Sequence, residues 1–259
     1  MTWLLTNDDG EIRWLTFDRP ERKNAIPFDG FEALRDVFVE FDRSDQRVLI
    51  IQGNGGAFCA GADLDPEARG EMVSASFRHQ RMKIIDEAAT ALHRLSKPTI
   101  AAVEGYAVGA GMNLALGCDV VIAAESAQFS EIFVKRGLTL DFGGTWLLPR
   151  VVGLQRAKEL ALSGRMVDAD EAAKIGLALE VVPTDRLQDR AMELAESFLA
   201  GAPIGQMLSK QALDASFQMS FAEAVGWESQ SQAIAFGTED SAEGIAAFLE
   251  KRDPEWEGR

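Results

Sequence analysis

The stretch TIAAVEGYAVGAGMNLALGCDVVIAAE, residues 99 to 125, decides the fold. TIAAVEG (99–105) reads as a buried strand, GYAVGAG as a turn, MNLALG as the start of a helix and DVVIAAE (119–125) as the next strand. Two apolar runs this short, joined by one helix, form a strand, helix, strand unit, which demands a parallel sheet. Upstream the pattern repeats. IRWLTF (12–17) is a strand, RPERKNAIPFDG interrupts it with two prolines, and residues 28–43 carry Phe31, Leu34, Val37, Phe38 and Phe41 at helical spacing before the strand VLIIQ (48–52). A second helix over 76–95 ends at Ser96-Lys97-Pro98, because the residue before a proline avoids helical angles. The charged segment 65–75 reads as mobile.

After Pro149 the pattern becomes helical, over 155–162, 169–175, 185–200, 204–215, 220–236 and 240–250, with only LEVV (179–182) strand-like. Ser220 with Glu223, and Asp240 with Glu243, have capping-box spacing. The chain therefore divides into an α/β core, residues 1–200, and a helical C-terminal region, residues 201–259.

The chain has 259 residues and a formal net charge of −15. Such an acidic surface repels phosphate backbones and anionic lipid, so nucleic acid and membranes are not expected partners. No apolar run reaches the roughly 20 residues of a membrane-spanning helix, and the N-terminus turns acidic before a signal-peptide pattern develops, so a cytoplasmic location is expected. The two cysteines, Cys59 and Cys118, make neither a disulfide framework nor zinc spacing. His79 and His93, the two histidines, fall in a charged helical segment and read as solvent-facing. No metal site is expected.

Two glycine-rich loops, 53–64 and 105–111, follow predicted strands and so lie at the carboxyl edge of the sheet, where ligands bind. Neither carries GxxxxGK[ST] or a full GxGxxG fingerprint. From spacing alone the glycines serve tight turns and close helix-to-strand packing; an oxyanion hole built from main-chain N–H groups is the functional alternative. Asp141, in LTLDFGG, reads first as a turn former, since Asp before Gly bonds nearby backbone N–H groups.

FDRPERKNAI (17–26), AFCAGADL (57–64), GYAVGAGMNLALGCDVVIA (105–123), GLTLDFGGTWLLPRVVG (137–153) and FLEKRDPEW (248–256), in this order, resemble the crotonase superfamily of enoyl-CoA hydratases and isomerases. The resemblance implies a crotonase (ClpP-like) spiral of ββα units and a C-terminal trimerisation region giving trimers or dimers of trimers. It also implies an acyl-CoA thioester as substrate and no separate cofactor. Carried over residue by residue, the oxyanion-hole donors match the N–H groups of Ala62 and Ala110, and the adenine and pantetheine contacts match Lys23, Ala25, Ala60, Asp63 and Leu64. Alanine at 110, where the family usually has glycine, keeps the donor and narrows the pocket beside the acyl α-carbon.

The two glutamates of the family's hydratases are missing, for their positions hold Asn113 and Phe133. Glu131 is a candidate substitute only if SEIFV runs extended; a bend would turn it away, and a surface or structural role, such as a salt bridge, is the expectation. Asp141 falls where isomerases and aromatic-acyl dehalogenases of the family carry a working Asp, and the pattern is closest to members with a single catalytic Asp. The expected activity is therefore double-bond isomerisation of an enoyl-CoA with Asp141 as base. A hydratase with Glu131 or another group in place of the missing pair, and a non-catalytic acyl-CoA binder, are the alternatives. A dehalogenase would need a basic residue where Asp86 stands. Cys59 reads as loop filler, Trp146, Leu147 and Leu148 as acyl pocket or packed helix, and Lys251 and Arg252 as phosphate contacts of a neighbouring subunit or solvated charges.

Overall fold

Parallel pairing follows from strands buried on both faces, and the central runs Val48–Ile51 and Thr99–Val103 are wholly buried in the computed structural model, which describes residues 3–27, 29–64 and 74–259. The strands are β1 (Leu4–Asp9), β2 (Ile12–Phe17), β3 (Val48–Gly53), β4 (Thr99–Val103), β5 (Tyr106–Val108), β6 (Val120–Ala124), β7 (Gln128–Ser130), β8 (Val167–Asp168) and β9 (Glu180–Val182). One sheet has the order β1-β2-β3-β4-β6-β9, antiparallel between β1 and β2 and parallel elsewhere. A second, β5-β7-β8, is parallel between β5 and β7. Two small sheets connected through one ββα turn are the expected spiral.

The helices are α1 (Gly30–Arg43), α2 (Ala75–His93), α3 (Ala110–Leu116), α4 (Gly144–Val152), α5 (Leu154–Ser163), α6 (Ala169–Ile175), α7 (Leu187–Leu199), α8 (Pro203–Ser216), α9 (Phe221–Phe236) and α10 (Glu239–Glu250). Helix α1 buries Phe31, Leu34, Phe38 and Phe41 on one face of the large sheet, and α7 buries Leu187, Ala191 and Ala195 on the other. Ser220 closes the capping box at α9, as its spacing predicts. At α10 the cap is instead Thr238, whose side chain accepts from the Ser241 N–H. Asp240 serves the chain end, accepting the N–H groups of Glu257 and Gly258.

Three local readings are corrected. GYAVGAG is not only a turn, since Tyr106–Val108 pairs with β7. Helix formation begins before Pro149, which stands inside α4; a proline there removes one intrahelical donor, and the Arg150 guanidinium donates 2.9 Å to the Trp146 carbonyl within the same turn. His93 is half-buried, edge-on to the Trp146 ring at 4.9 Å between centroids, whereas His79 is exposed as expected. Arg150 covers Trp146 at 3.7 Å and reaches Phe217 at 5.4 Å, which ties α4 to the end of α8. Of the segment read as mobile, residues 65–73 lie outside the described residues. None of the described helices is long and apolar enough to cross a membrane.

Candidate active site

The two glycine-rich loops meet edge to edge. Cys59 pairs with Ala107, through the Cys59 N–H to the Tyr106 carbonyl at 2.8 Å and the Val108 N–H to the Cys59 carbonyl at 3.0 Å. Glycine is required at two of these contacts. Gly61 has φ +88°, and a methyl there would lie 2.7 Å from the Val108 carbonyl oxygen and 3.4 Å from the Ala110 nitrogen. A methyl on Gly111 would collide with the Cys59 carbonyl.

This contact brings Ala62 and Ala110 together. Ala62 faces Ile26 in a parallel bridge whose hydrogen bonds are made by its neighbours: Ile26 N–H to the Gly61 carbonyl and Asp63 N–H to the Ile26 carbonyl, both 2.8 Å. Alternate amides along extended backbone point to opposite sides, so the Ala62 N–H is turned away from that bridge. Ala110 opens α3, and the first N–H groups of a helix have no intrahelical partner. Two main-chain donors thus remain for a ligand oxygen at the junction of the loops.

The coenzyme A contacts expected from the resemblance cluster on the same rim. The Ala60 N–H donates 3.0 Å to the Lys23 carbonyl, and the exposed Lys23 ammonium lies 4.1 Å from the centre of the Tyr106 ring. Ala25 is buried and its carbonyl accepts from Arg19 at 3.1 Å; Leu64 is exposed. Asp63 departs from a ligand contact through its side chain. That carboxylate is buried and accepts from Arg19 at 2.7 Å and Arg22 at 2.9 Å, so it pins the loop to the 19–22 turn. Asn24 was missed in the sequence. Fully buried with φ +56°, its side-chain amide donates to the Asn54 and Ala57 carbonyls and so fixes the same rim.

A side-chain cluster is built on the same helix α3 that Ala110 opens. Asn113, one turn into α3 and fully buried, donates through Nδ2 to the Asp141 main-chain carbonyl at 2.9 Å and, at 3.5 Å, to Glu131 Oε2. Gly144 of α4 packs so closely on the Asn113 amide that no Cβ fits there. The chain does bend after β7, for Ile132–Arg136 form a 3-10 helix. The bend turns Glu131 inward, fully buried and without an ion-pair partner among the described residues, which corrects the surface or salt-bridge reading. The reason is that residue 131 is the pivot between β7 and the 3-10 turn, and the exposed positions fall on Val134, Lys135 and Arg136 instead. Phe133, at the other missing-glutamate position, is buried and apolar.

Burial, with the negative charge of Asp86 on α2 added to it, pushes the Asp141 carboxyl up to about 6. Burial and then the charge of Asp141 push Glu131 up to about 8, against the Asn113 hydrogen bond, which acts the other way. Two carboxyls driven to different values divide the labour: near neutral pH Asp141 is ionised and Glu131 keeps its proton. Among the described residues, Oδ1 of Asp141, Oδ1 of Asn113 and Oε1 of Glu131 accept no hydrogen bond.

The remaining candidates lie elsewhere. Cys59 is buried, takes the Gly61 N–H on its sulfur at 3.4 Å and has its thiol pushed up to about 12, so it is no nucleophile. Asp86 is exposed on α2 and supplies no base. Leu148 is in the core and Leu147 packs against it. Arg252 is held by Glu243 and Glu250, and Lys251 caps α10 with φ +57°. No group of three metal-ligating side chains occurs among the described residues.

Residues 8–259 match the family model described as Enoyl-CoA hydratase/isomerase. The chain is 37% identical over 265 aligned positions to the 1,2-epoxyphenylacetyl-CoA isomerase of Escherichia coli (strain K12), covering all of both chains. It is 33% identical to the short-chain-enoyl-CoA hydratase of Clostridium acetobutylicum, over 96% of this chain and 95% of that one. Among solved structures, an enoyl-CoA hydratase from Bacillus anthracis superposes over 100% of both chains with a TM-score of 0.94 at 33% identity.

Proposed function

Since this chain belongs to the enoyl-CoA hydratase/isomerase family, we propose that it moves a double bond along the acyl chain of an enoyl-CoA thioester, with Asp141 as the only base. The observation that carries the reading is the half-buried Asp141, whose main chain is held by Asn113 of α3, whose Oδ1 is buried and unpartnered and whose acidity is weakened to about 6.

The thioester carbonyl oxygen is held by the N–H groups of Ala62 and Ala110, which strengthen their grip as it becomes an enolate oxygen. Asp141 removes the acidified proton from one end of the allylic system, leaving a dienolate, and returns the same proton two carbons away as the double bond shifts. One carboxyl suffices for this exchange. Lys23, Ala25, Ala60, Asp63 and Leu64 line the coenzyme A rim, Lys23 by its charge, Asp63 by holding the loop. Residues 201–259 carry the exposed apolar side chains Phe217, Phe221, Phe236 and Phe248 and form the self-association surface of a trimer or dimer of trimers.

Hydratases among the relatives favour a second reading, addition of water. Asn113 cannot exchange a proton near neutral pH, and Glu131 holds its own there, so neither activates water. Incubating 2-enoyl and 3-enoyl thioesters in heavy water, following double-bond position and deuterium uptake, separates the two. Migration that stops in Asp141→Asn, with thioester binding kept, supports isomerisation and excludes a mere binder; a 3-hydroxyacyl product formed at a rate indifferent to Asp141 overturns it.

A further inference from the structure

Two buried acceptors in the site belong to groups already joined to each other. Asn113 Nδ2 bridges Glu131 Oε2 and the Asp141 carbonyl, yet Asn113 Oδ1 and Glu131 Oε1 receive nothing from the described residues. A carboxylate at 131 would only accept, leaving both oxygens orphaned and placing a second buried charge beside Asp141. A carboxylic acid brings the donor that the cluster lacks, since its O–H can serve the Asn113 amide oxygen while Nδ2 serves the other carboxyl oxygen, an acid–amide pair.

The surroundings agree. From α3 the neutral Asn113 faces Glu131, and from the segment before α4 the acidic Asp141 does. Past the end of α5, Gly164 packs on the main-chain carbonyl of Glu131 and on the side chains of Val134 and Lys135. Asp86 of α2 acts on Asp141, and Lys135 and Arg136 of Glu131's own turn are exposed. No cation among the described residues pairs with the Glu131 carboxyl.

We propose that Glu131 is a positioning residue, kept as a neutral acid that locks the Asn113 amide and, through it, the main chain of Asp141, so that the base is held without a second charge in the pocket. The role rests on Asp141 being the base. Ionisation of Glu131 removes the donor and sets a negative charge beside the forming dienolate, so turnover falls on the alkaline side.

The test pairs kcat against pH for 3-enoyl thioester isomerisation with infrared spectra of the unliganded protein, in wild type, Glu131→Gln, Glu131→Ala and Asp141→Asn. Wild type is expected to show the carbonyl band of a protonated carboxyl, bleaching near pH 8, that Glu131→Gln lacks. The alkaline limb of kcat disappears in Glu131→Gln and the acid limb near 6 stays. Glu131→Ala loses about a hundredfold in kcat through misplacement of the base, with KM within about twofold, and Glu131→Gln recovers most of that loss. The proposal falls if no such band exists, if the alkaline limb survives in Glu131→Gln, or if Glu131→Gln is as inactive as Asp141→Asn, which would make Glu131 a proton carrier itself. Wild-type turnover by Asp141→Asn would sink the base assignment instead, and the infrared band would still report on Glu131.

Discussion

The site has a main-chain half and a side-chain half, and they are secured by opposite means. Around Ala62 and Ala110 precision comes from contact: glycines at 61 and 111 let two backbones touch, and the Arg19 and Arg22 pairs with Asp63 hold the loop from outside. Around Asp141 it comes from burying polar groups that stay only partly satisfied, Asn113 and Glu131 among them. A half built from backbone keeps its donors whatever the side chains. A half built from carboxyls depends on each proton, and it is where acidity and stability trade against each other.

That contrast can be broken most sharply at Asp141. Asp141→Asn should lower kcat for isomerisation by about 10²- to 10⁴-fold with KM little changed, as expected when a general base is lost, and steady-state assays with 3-enoyl thioesters measure it. In the wild type kcat should rise with pH through about 6, as the proposed base loses its proton.

Ala110→Pro probes the other half, deleting one N–H at a first helical position where proline is accepted. A drop of about 10²- to 10³-fold in kcat is expected, from loss of one oxyanion donor. Equal activity of the variant and wild type would remove Ala110 from the site.

The stability side follows from the raised value of Asp141. Between its ordinary 3.8 and about 6 the folded chain keeps a proton that the unfolded chain has released, so stability declines as pH rises through that window. Above about 6 the full penalty, about 2 to 3 kcal/mol, is present, and Asp141→Asn should recover much of it, read as a higher Tm at pH 8 than wild type and little difference at pH 4.

The smallest effect is expected of Ala110→Gly. On the proposed placement of the thioester, removing this methyl should raise kcat/KM for α-branched thioesters relative to straight ones by about tenfold and leave the pH profile unchanged.

The contact of the two loops was legible in the sequence because it is written in local motifs: AFCAGADL and GYAVGAG carry the glycines that let the two backbones touch. The sheet was legible for the same reason, its strands being short uninterrupted apolar runs. The side-chain half was only partly so. Asp141 stood out by its motif, but Glu131 was expected outward because a charged side chain is usually solvated and a bend was expected to turn it away, whereas the 3-10 turn that follows β7 sends the exposed positions to residues 134–136 and leaves Glu131 buried at the pivot. β1 left no clear signal, since all but its first residue are exposed and the run LLTNDD looks like a polar edge. Pro149 suggested a boundary because a proline normally starts or ends a helix, whereas α4 carries it inside.

Trp146 stands between these halves and the C-terminal helices, with His93 against one part of its ring and Arg150 over its face, while Arg150 also reaches Phe217. An indole so placed is an intrinsic optical gauge. With the other four tryptophans replaced, its emission registers whether the helix that begins just after Asp141 remains docked on the chain's last third, so loosening of that contact can be followed by fluorescence without attaching a dye.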